Sequence, residues 1–415
     1  MSSFRFIHTA DIHLDSPLRG LPEHDGQMAE RIRRATRGAF ESLVGTAIDE
    51  GVDFVVIAGD LYDGDWRDYR TGLFFVAQMG RLRQADIPVF LLYGNHDAES
   101  AITKRLHLPD NVRVFGARKP ETLLLESLSV ALHGQSFGTR AVMENLAAGY
   151  PAPRPGRFNV GVLHTALGGR PGHEPYAPCS LDELVNKGYD YWALGHVHHG
   201  EILHERPHVV FPGNLQGRHI REIGEKGACL VTVEDGQVAD VARRAVDVVR
   251  WAQVTIDVSS CADLGSVVGQ VRAGLEGAVA DVPADRLLAV RLRLTGRSPA
   301  HHVLCASRAQ LLAECWGAAL GFGEECLWIE RVVIDTMPVG ATVGAVQEAV
   351  GELAQMLEEA KADPALVAAV EADVREFVGK LPAEVRREVE NPLLQAALGG
   401  QTDPLLDGGR EYLLL

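Results

Sequence analysis

Five short apolar runs in the first half of the chain each end in a side chain of a type that binds metal ions. Phe4 to Ala10 leads to Asp11, Phe54 to Ala58 to Asp60, Val89 to Tyr93 to Asn95, Val160 to Leu163 to His164, and Tyr191 to Leu194 to His196. Runs of this length, rich in β-branched and aromatic residues, read as buried strands, and the stretches between them carry helical periodicity. Strands alternating with helices predict an α/β layered domain from Phe4 to about Val233. Open α/β sheets present ligand-binding residues at the carboxyl ends of their strands, so the pattern predicts a site along one rim of a sheet.

The residues at these strand ends form five short motifs. Asp11-Ile12-His13 offers a carboxylate and an imidazole two residues apart, and Gly59-Asp60-Leu61-Tyr62-Asp63 pairs a permissive glycine with two carboxylates. Gly94-Asn95-His96-Asp97 supplies a neutral amide oxygen beside an imidazole; His164 stands alone; Gly195-His196-Val197-His198 adds two more imidazoles. Any one of these is more often incidental, and a lone histidine such as His164 is usually structural. Five in order, each at a strand end, make coincidence a poor explanation. Two divalent ions roughly 3.5–4 Å apart need one shared carboxylate and together activate water against a phosphate. Asp60 is the candidate for that shared ligand. Mixed imidazole, carboxylate and amide donors without thiolate suit manganese, iron or zinc and do not choose among the three; manganese is the expectation put first.

Composition narrows the remaining choices. The six cysteines form no C-x-x-C pair and read as buried thiols, which leaves His, Asp and Asn to hold any metal. A net charge of −16 argues against nucleic-acid binding by bulk electrostatics. A local basic rim is conceivable from Arg31, Arg33, Arg34 and Arg37, or from Arg218 and Arg221, although a solvated face is the blander reading for each. No apolar run approaches the roughly 20 residues that span a bilayer, and Met1 runs into a strand with no signal-peptide core, so no membrane association and a cytoplasmic location are expected.

Beyond Val233 the metal-type residues thin out. Ala252 to Val258, Leu287 to Leu294 and Leu327 to Asp335 read as strands separated by helical stretches, which sets out a smaller α/β domain. From Thr342 to Val389 the chain is rich in Ala, Glu and Val, with Pro364 and Pro382 as breaks, and reads as a helical appendage. Its Glu358, Glu359, Glu371 and Asp373 suggest a solvated face, whereas the closing Tyr412-Leu413-Leu414-Leu415 suggests packing on something. The expected division is 1–244, 245–337 and 338–415.

The five motifs together resemble the calcineurin-like metallophosphoesterases, from Phe4 to about Val233. That resemblance implies an α/β/β/α sandwich carrying a smaller α/β capping domain and the helical C-terminal appendage. It implies a first metal held by Asp11, His13, Asp60 and His198, and a second by Asp60, Asn95, His164 and His196. His96 would act on the substrate as proton donor or transition-state stabiliser, with Asp63 or Asp97 orienting it. Thr9 to Leu14, Phe211 to Gln216 and Glu225-Lys226-Gly227 are similar to the SbcD-type DNA repair exonucleases. Gly59 to Trp66 and Tyr176 to Ser180 look like their bacterial YhaO-like branch. Eukaryotic and archaeal relatives commonly carry histidine where Asp63 stands.

The resemblance implies a metal-dependent DNA exonuclease or endonuclease whose C-terminal segment docks on an SbcC-like ATPase, with a homodimer as a possible assembly. Its mechanism is in-line attack of activated water on a phosphodiester, with the leaving oxygen protonated by His96 or by water. A phosphodiesterase for small nucleotides or cyclic phosphodiesters would share the metal site without requiring the cap or tail. A non-enzymatic scaffold predicts missing ligands, and none is missing. His8, His199, His204 and His208 are read as packing or solvated residues, and the loop with Gly168, Gly169, His173 and Tyr176 as either a groove lining or a plain surface loop.

Overall fold

The structure, a computed structural model, describes residues 3–16, 30–32, 34–63, 69–98, 107–169, 174–323, 325–340, 351, 355–356, 358–359, 361–380, 392–401 and 404–405. Arg33, His173, Trp66 and the closing Tyr412 to Leu415 lie outside the described residues. By compactness the chain forms one unit of Met1–Gly296 with His302–Thr336, and a second of Arg297–His301 with Met337–Leu415.

The strands are β1 (Phe4–Thr9), β2 (Phe54–Ala58), β3 (Val89–Leu92), β4 (Val112–Val114), β5 (Glu121–Leu125), β6 (Val130–Gly134), β7 (Phe158–His164) and β8 (Tyr191–Gly195). They continue with β9 (Glu201–Glu205), β10 (His208–Phe211), β11 (Gly227–Glu234), β12 (Gln237–Ala245), β13 (Val249–Asp257), β14 (Leu287–Arg297) and β15 (Leu327–Met337). Two six-stranded sheets result, ordered β12-β11-β1-β2-β3-β4 and β5-β6-β7-β8-β10-β9. The central pairings β1–β2, β2–β3, β6–β7 and β7–β8 are parallel, so these strands finish on a common side within each sheet.

Period-two alternation explains the layering. Phe6, Phe54, Val56, Phe90 and Leu92 on one face of the first sheet meet Val130, Val160, Val162, Tyr191 and Ala193 of the second in one apolar cluster. The intervening residues Ile7, Val55, Ile57, Val89 and Leu91 point the other way. There they pack with Phe40, Leu43 and Val44 of α1 (Ala35–Asp49) and Phe75 and Met79 of α2 (Tyr69–Gln84). A strand buried on both faces is a continuous hydrophobic run, which is how these segments read in sequence. On the far side of the second sheet Leu163, Trp192, Leu194 and Val209 pack with Tyr150 and Leu184, the latter in the short helix α4 (Leu181–Asn186) that follows the one-turn α3 (Asn95–Ala98).

A three-stranded sheet, β13-β14-β15, follows, with β13 parallel to β14. Helix α5 (Leu264–Ala280) connects its first two strands, and α6 (His301–Ala306) and α7 (Arg308–Leu320) lie between the last two. Val249, Trp251, Leu287 and Ala289 at its base pack with Ala35 at the start of α1 and with Ile32 just before it. In the second unit, α8 (Pro364–Lys380) packs with α9 (Pro392–Leu398), leaving Leu366 and Phe377 exposed.

Two expectations are corrected. The five ligand-bearing strands belong to two sheets rather than one, because β1, β2 and β3 share the first and β7 and β8 the second. The cysteines are not uniformly buried: Cys179, Cys229, Cys261 and Cys315 are, but Cys305 is exposed and Cys326 half-buried. Among the described residues no helix is long and apolar enough to cross a membrane.

Candidate metal centre

The strand ends of both sheets turn toward one another, and the turns use unusual backbone. Asp11, His13, Asp60 and His196 adopt φ of 49, 47, 52 and 96°. Such conformations are rare outside glycine and cost on the order of 1–3 kcal/mol each, Asp and His bearing them better than most residues. They let a side chain leave the strand axis and enter the cleft. The first two loops also zip together: Asp11, His13 and Leu14 donate their N–H groups to the carbonyls of Gly59, Asp60 and Leu61 at 2.9–3.0 Å. Gly59, at φ +100°, is required here, since a Cβ would lie 2.3 Å from Nδ1 of His164.

The candidate ligands are brought together as the motifs imply. Asp11, His13 and His198 form one group with donor atoms within 4.8 Å of one another, and Asp60, His164 and His196 form another. Asp60 Oδ2 lies 3.9 Å from His13 Nε2 and 3.4 Å from His164 Nε2, placing this carboxylate between the two groups. Asn95 Oδ1 joins the second group, 2.9 Å from His164 Nε2 and 3.2 Å from His196 Nδ1.

Whether this set fits metal ions is decided by the opposite side of each ring. His164 Nδ1 faces the Ala58 carbonyl at 3.0 Å, His196 Nε2 the Glu174 carbonyl at 3.0 Å, and His198 Nδ1 the Glu222 carboxylate at 2.8 Å. Each neutral ring spends its one N–H on that acceptor and turns a lone pair into the cleft. His198 Nε2 meets His13 Nε2 at 3.2 Å, while the lone pairs of His164 and His196 meet the Asn95 oxygen. Converging lone pairs repel unless positive charge sits among them, so the donor set fits two cations sharing Asp60. In the absence of an ion a proton supplies that positive charge: burial opposes ionisation of His164, yet the Asp60 charge outweighs it and lifts the imidazolium to about 9, so this ring offers its lone pair only after losing that proton. Burial also raises the Asp11 carboxyl to about 6, against the pull of His198 and His164.

His96 stands beside the ligands, its Nδ1 2.9 Å from Asp63 Oδ1. Burial works against its charge, but the Asp63 hydrogen bond and the Asp60 charge raise its pKa above the usual histidine value. Asp97, the other sequence candidate for orienting His96, does different work. Its Oδ2 accepts from Leu61 N and Gly94 N and its Oδ1 from Tyr62 N, at 2.9–3.1 Å. It ties the second motif to the third, and burial followed by the neighbouring Asp60 raises it to about 7.

Sequence reasoning missed three contributors. Glu222 holds His198, the Glu174 carbonyl holds His196, and Ser16 donates to Asp63 Oδ2 at 2.5 Å. The pair Arg218 and Glu222, at i and i+4 just after Pro212 to Gln216, was the available signal. Arg218 is not part of a surface rim: it is largely buried beside the centre and bonds Glu222. Of the other proposed rim residues, Arg221 is exposed and three are engaged. Arg31 donates to the Glu325 carbonyl, Arg34 pairs with Glu30, and Arg37 grips Asp15. Tyr176 is half-buried with its ring 5.6 Å from that of His196, so its loop borders the site. His8 is fully buried between the sheets, bonded to Tyr191 and the Leu194 carbonyl, and burial lowers its pKa to about 3.

A model of the calcineurin-like phosphoesterase family matches residues 4–200, and one described as metallophosphoesterase YhaO, middle domain, matches 251–337. The chain is 38% identical over 275 residues to the uncharacterized metallophosphoesterase YhaO of Bacillus subtilis, covering 65% of this chain and 67% of that one. It is 27% identical over 251 residues to the DNA double-strand break repair protein Mre11 of Methanopyrus kandleri, covering 54% and 51%. It is also 27% identical over 378 residues to the protein of that name from Aeropyrum pernix, covering 86% and 87%.

Proposed function

This chain belongs to the calcineurin-like metallophosphoesterases, and from that premise we propose that it is a metal-dependent DNA nuclease working with an SbcC-like ATPase. The observation that carries the reading is the ring of converging lone pairs around Asp60, with His96 at its edge. Similarity to proteins named for double-strand break repair supports DNA as the substrate. Asp11, His13, Asp60 and His198 would hold one ion, and Asp60, Asn95, His164 and His196 the other, manganese being the first choice. When bound, the ions supply Lewis-acid charge to a phosphodiester and lower the pKa of water.

The chain's own residues do the rest. Asp63 keeps the His96 ring placed and its Nδ1 proton engaged, so Nε2 is the atom that reaches the departing oxygen and delivers a proton to it. The Ala58 and Glu174 carbonyls and the Glu222 carboxylate fix the rings of His164, His196 and His198 before substrate arrives, which avoids reorganisation during reaction. With a net charge of −16, the chain relies on its partner for much of the basic surface that DNA requires. The division 1–244 nuclease, 245–337 cap and 338–415 docking segment, a cytoplasmic location and a homodimer belong to the same proposal.

The test is manganese-dependent cleavage of end-labelled linear DNA, with bis(p-nitrophenyl) phosphate as a generic diester and His96→Ala as control. DNA degradation that the control loses supports the nuclease. Hydrolysis of the small diester alone, unchanged by an SbcC-like partner, replaces it with a small-molecule phosphodiesterase.

A further inference from the structure

Arg218 lies between the two functional halves of the centre. Its Nη2 is 2.9 Å from Glu222 Oε1, the oxygen that holds His198, and 3.2 Å from His198 Nδ1 itself. Its Nη1 is 3.7 Å from Asp63 Oδ2 and 3.5 Å from Ser16 Oγ, while the other oxygen of Asp63 holds His96. One guanidinium therefore faces two carboxylates, each of which orients a different histidine. Its backbone N–H also donates to Glu222 Oε2 at 2.8 Å, and Asn214 Nδ2 donates to the same oxygen at 2.9 Å.

The loop that carries Arg218 is fastened from its far side by the small sheet. Gln216 accepts from Val248 N and Val249 N at 2.9 and 3.2 Å and donates to the Val249 carbonyl at 2.6 Å. Trp251 Nε1 donates to the Gly217 carbonyl at 2.9 Å. Gly217 has no room for a side chain, because a Cβ would lie 2.7 Å from the Glu222 carbonyl and 3.0 Å from the Trp251 ring.

We propose that Arg218 is a positioning residue that sets His96 and His198 in register with one another through Asp63 and Glu222, on a loop held in place by β13. The reasoning is geometric. Two carboxylates near one another repel, and a planar fork with five donors separates and aims both at once, whereas an ammonium acts as a single point charge. Without the fork each carboxylate still finds its histidine, but their mutual placement is lost. This rests on the metallophosphoesterase reading and adds to it a residue that touches neither substrate nor ion.

The experiment uses Arg218→Lys, which keeps the charge, Arg218→Ala with and without guanidinium, and Trp251→Phe, which keeps the ring but loses the bond to Gly217. With bis(p-nitrophenyl) phosphate and manganese, Arg218→Lys should lower kcat about 10- to 100-fold with KM within about threefold. Guanidinium should restore part of kcat to Arg218→Ala, and Trp251→Phe should lower kcat in the same direction by less. Independently of turnover, the imidazole N–H proton resonances of His96 and His198 in the zinc-loaded protein should broaden together in Arg218→Lys, while those of His164 and His196 stay sharp. A rise in KM at constant kcat, or N–H resonances that all broaden or none, overturns the proposal. A wild-type chain that hydrolyses no diester removes the functional reading, and the proton resonances still decide the role of Arg218.

Discussion

The rim of the sandwich and the three-stranded sheet are built from similar strands yet bury opposite chemistry. At the rim, Asp11, His13, Asp60, Asn95, Asp97, His164 and His196 are all buried. In the small sheet, Leu287, Leu288, Ala289, Val290, Leu292 and Leu294 are buried, and the charged residues outside pair as Arg291 with Glu330 and Arg293 with Asp335. Burying polar groups and holding aspartate and histidine at positive φ both cost stability. Burying a Leu or Val side chain contributes roughly 1.5–3 kcal/mol. The difference teaches that the rim gives up stability for chemistry, and that the small sheet supplies stability and anchors the Arg218 loop.

Substitutions that separate the two regions test this. Asp60→Asn should bring the largest change, a loss of metal-dependent hydrolysis on the order of 10³-fold with fewer than two ions bound by elemental analysis, while the melting temperature holds or rises. A variant that melts early would break the comparison. His96→Ala should cost roughly 10²-fold in kcat and leave two ions in place, which a metal count on the purified variant checks. Leu292→Ala, in the small sheet, should destabilise by about 2–5 kcal/mol in urea unfolding and leave ion stoichiometry unchanged.

Asp63→Asn should cost about 10- to 100-fold in kcat, less than removing His96, as measured on the small diester. The smallest effect concerns pH. His164 is protonated below about 9 in the metal-free centre and must lose that proton to become a ligand. Manganese affinity should therefore rise by up to about tenfold per pH unit toward 9, which calorimetric titration at three pH values would read. An affinity flat with pH would mean that His164 is already neutral.

Much of this centre was legible before any coordinates. Asp11, His13, Asp60, Asn95, His164, His196 and His198 follow apolar runs, and local spacing marks them because a parallel strand delivers its last residue to the sheet edge. The layered α/β class followed from the same runs. Not legible were the assignment of β7 and β8 to a second sheet, the choice of Asp63 over Asp97 beside His96, and the Arg218 and Glu222 link to His198. Asp97 adjoins His96 in its own motif and Asp63 closes another, both are carboxylates of the same kind, and residue type gives no preference between them. Only the third dimension shows that three backbone N–H groups already engage Asp97.

The sequence by itself determined which elements form and which side chains stand at their ends, because helix and strand periods and turn chemistry act over a few residues. The tertiary structure alone decided which ring nitrogen faces the cleft, which carboxylate serves which histidine, and how the small sheet reaches the centre through Gln216 and Trp251. Those choices depend on hydrogen-bond partners between 20 and more than 100 residues away, such as Ala58 for His164 and Glu222 for His198. No local rule carries information over that distance, since it is set only when the packed sheets bring the partners within reach.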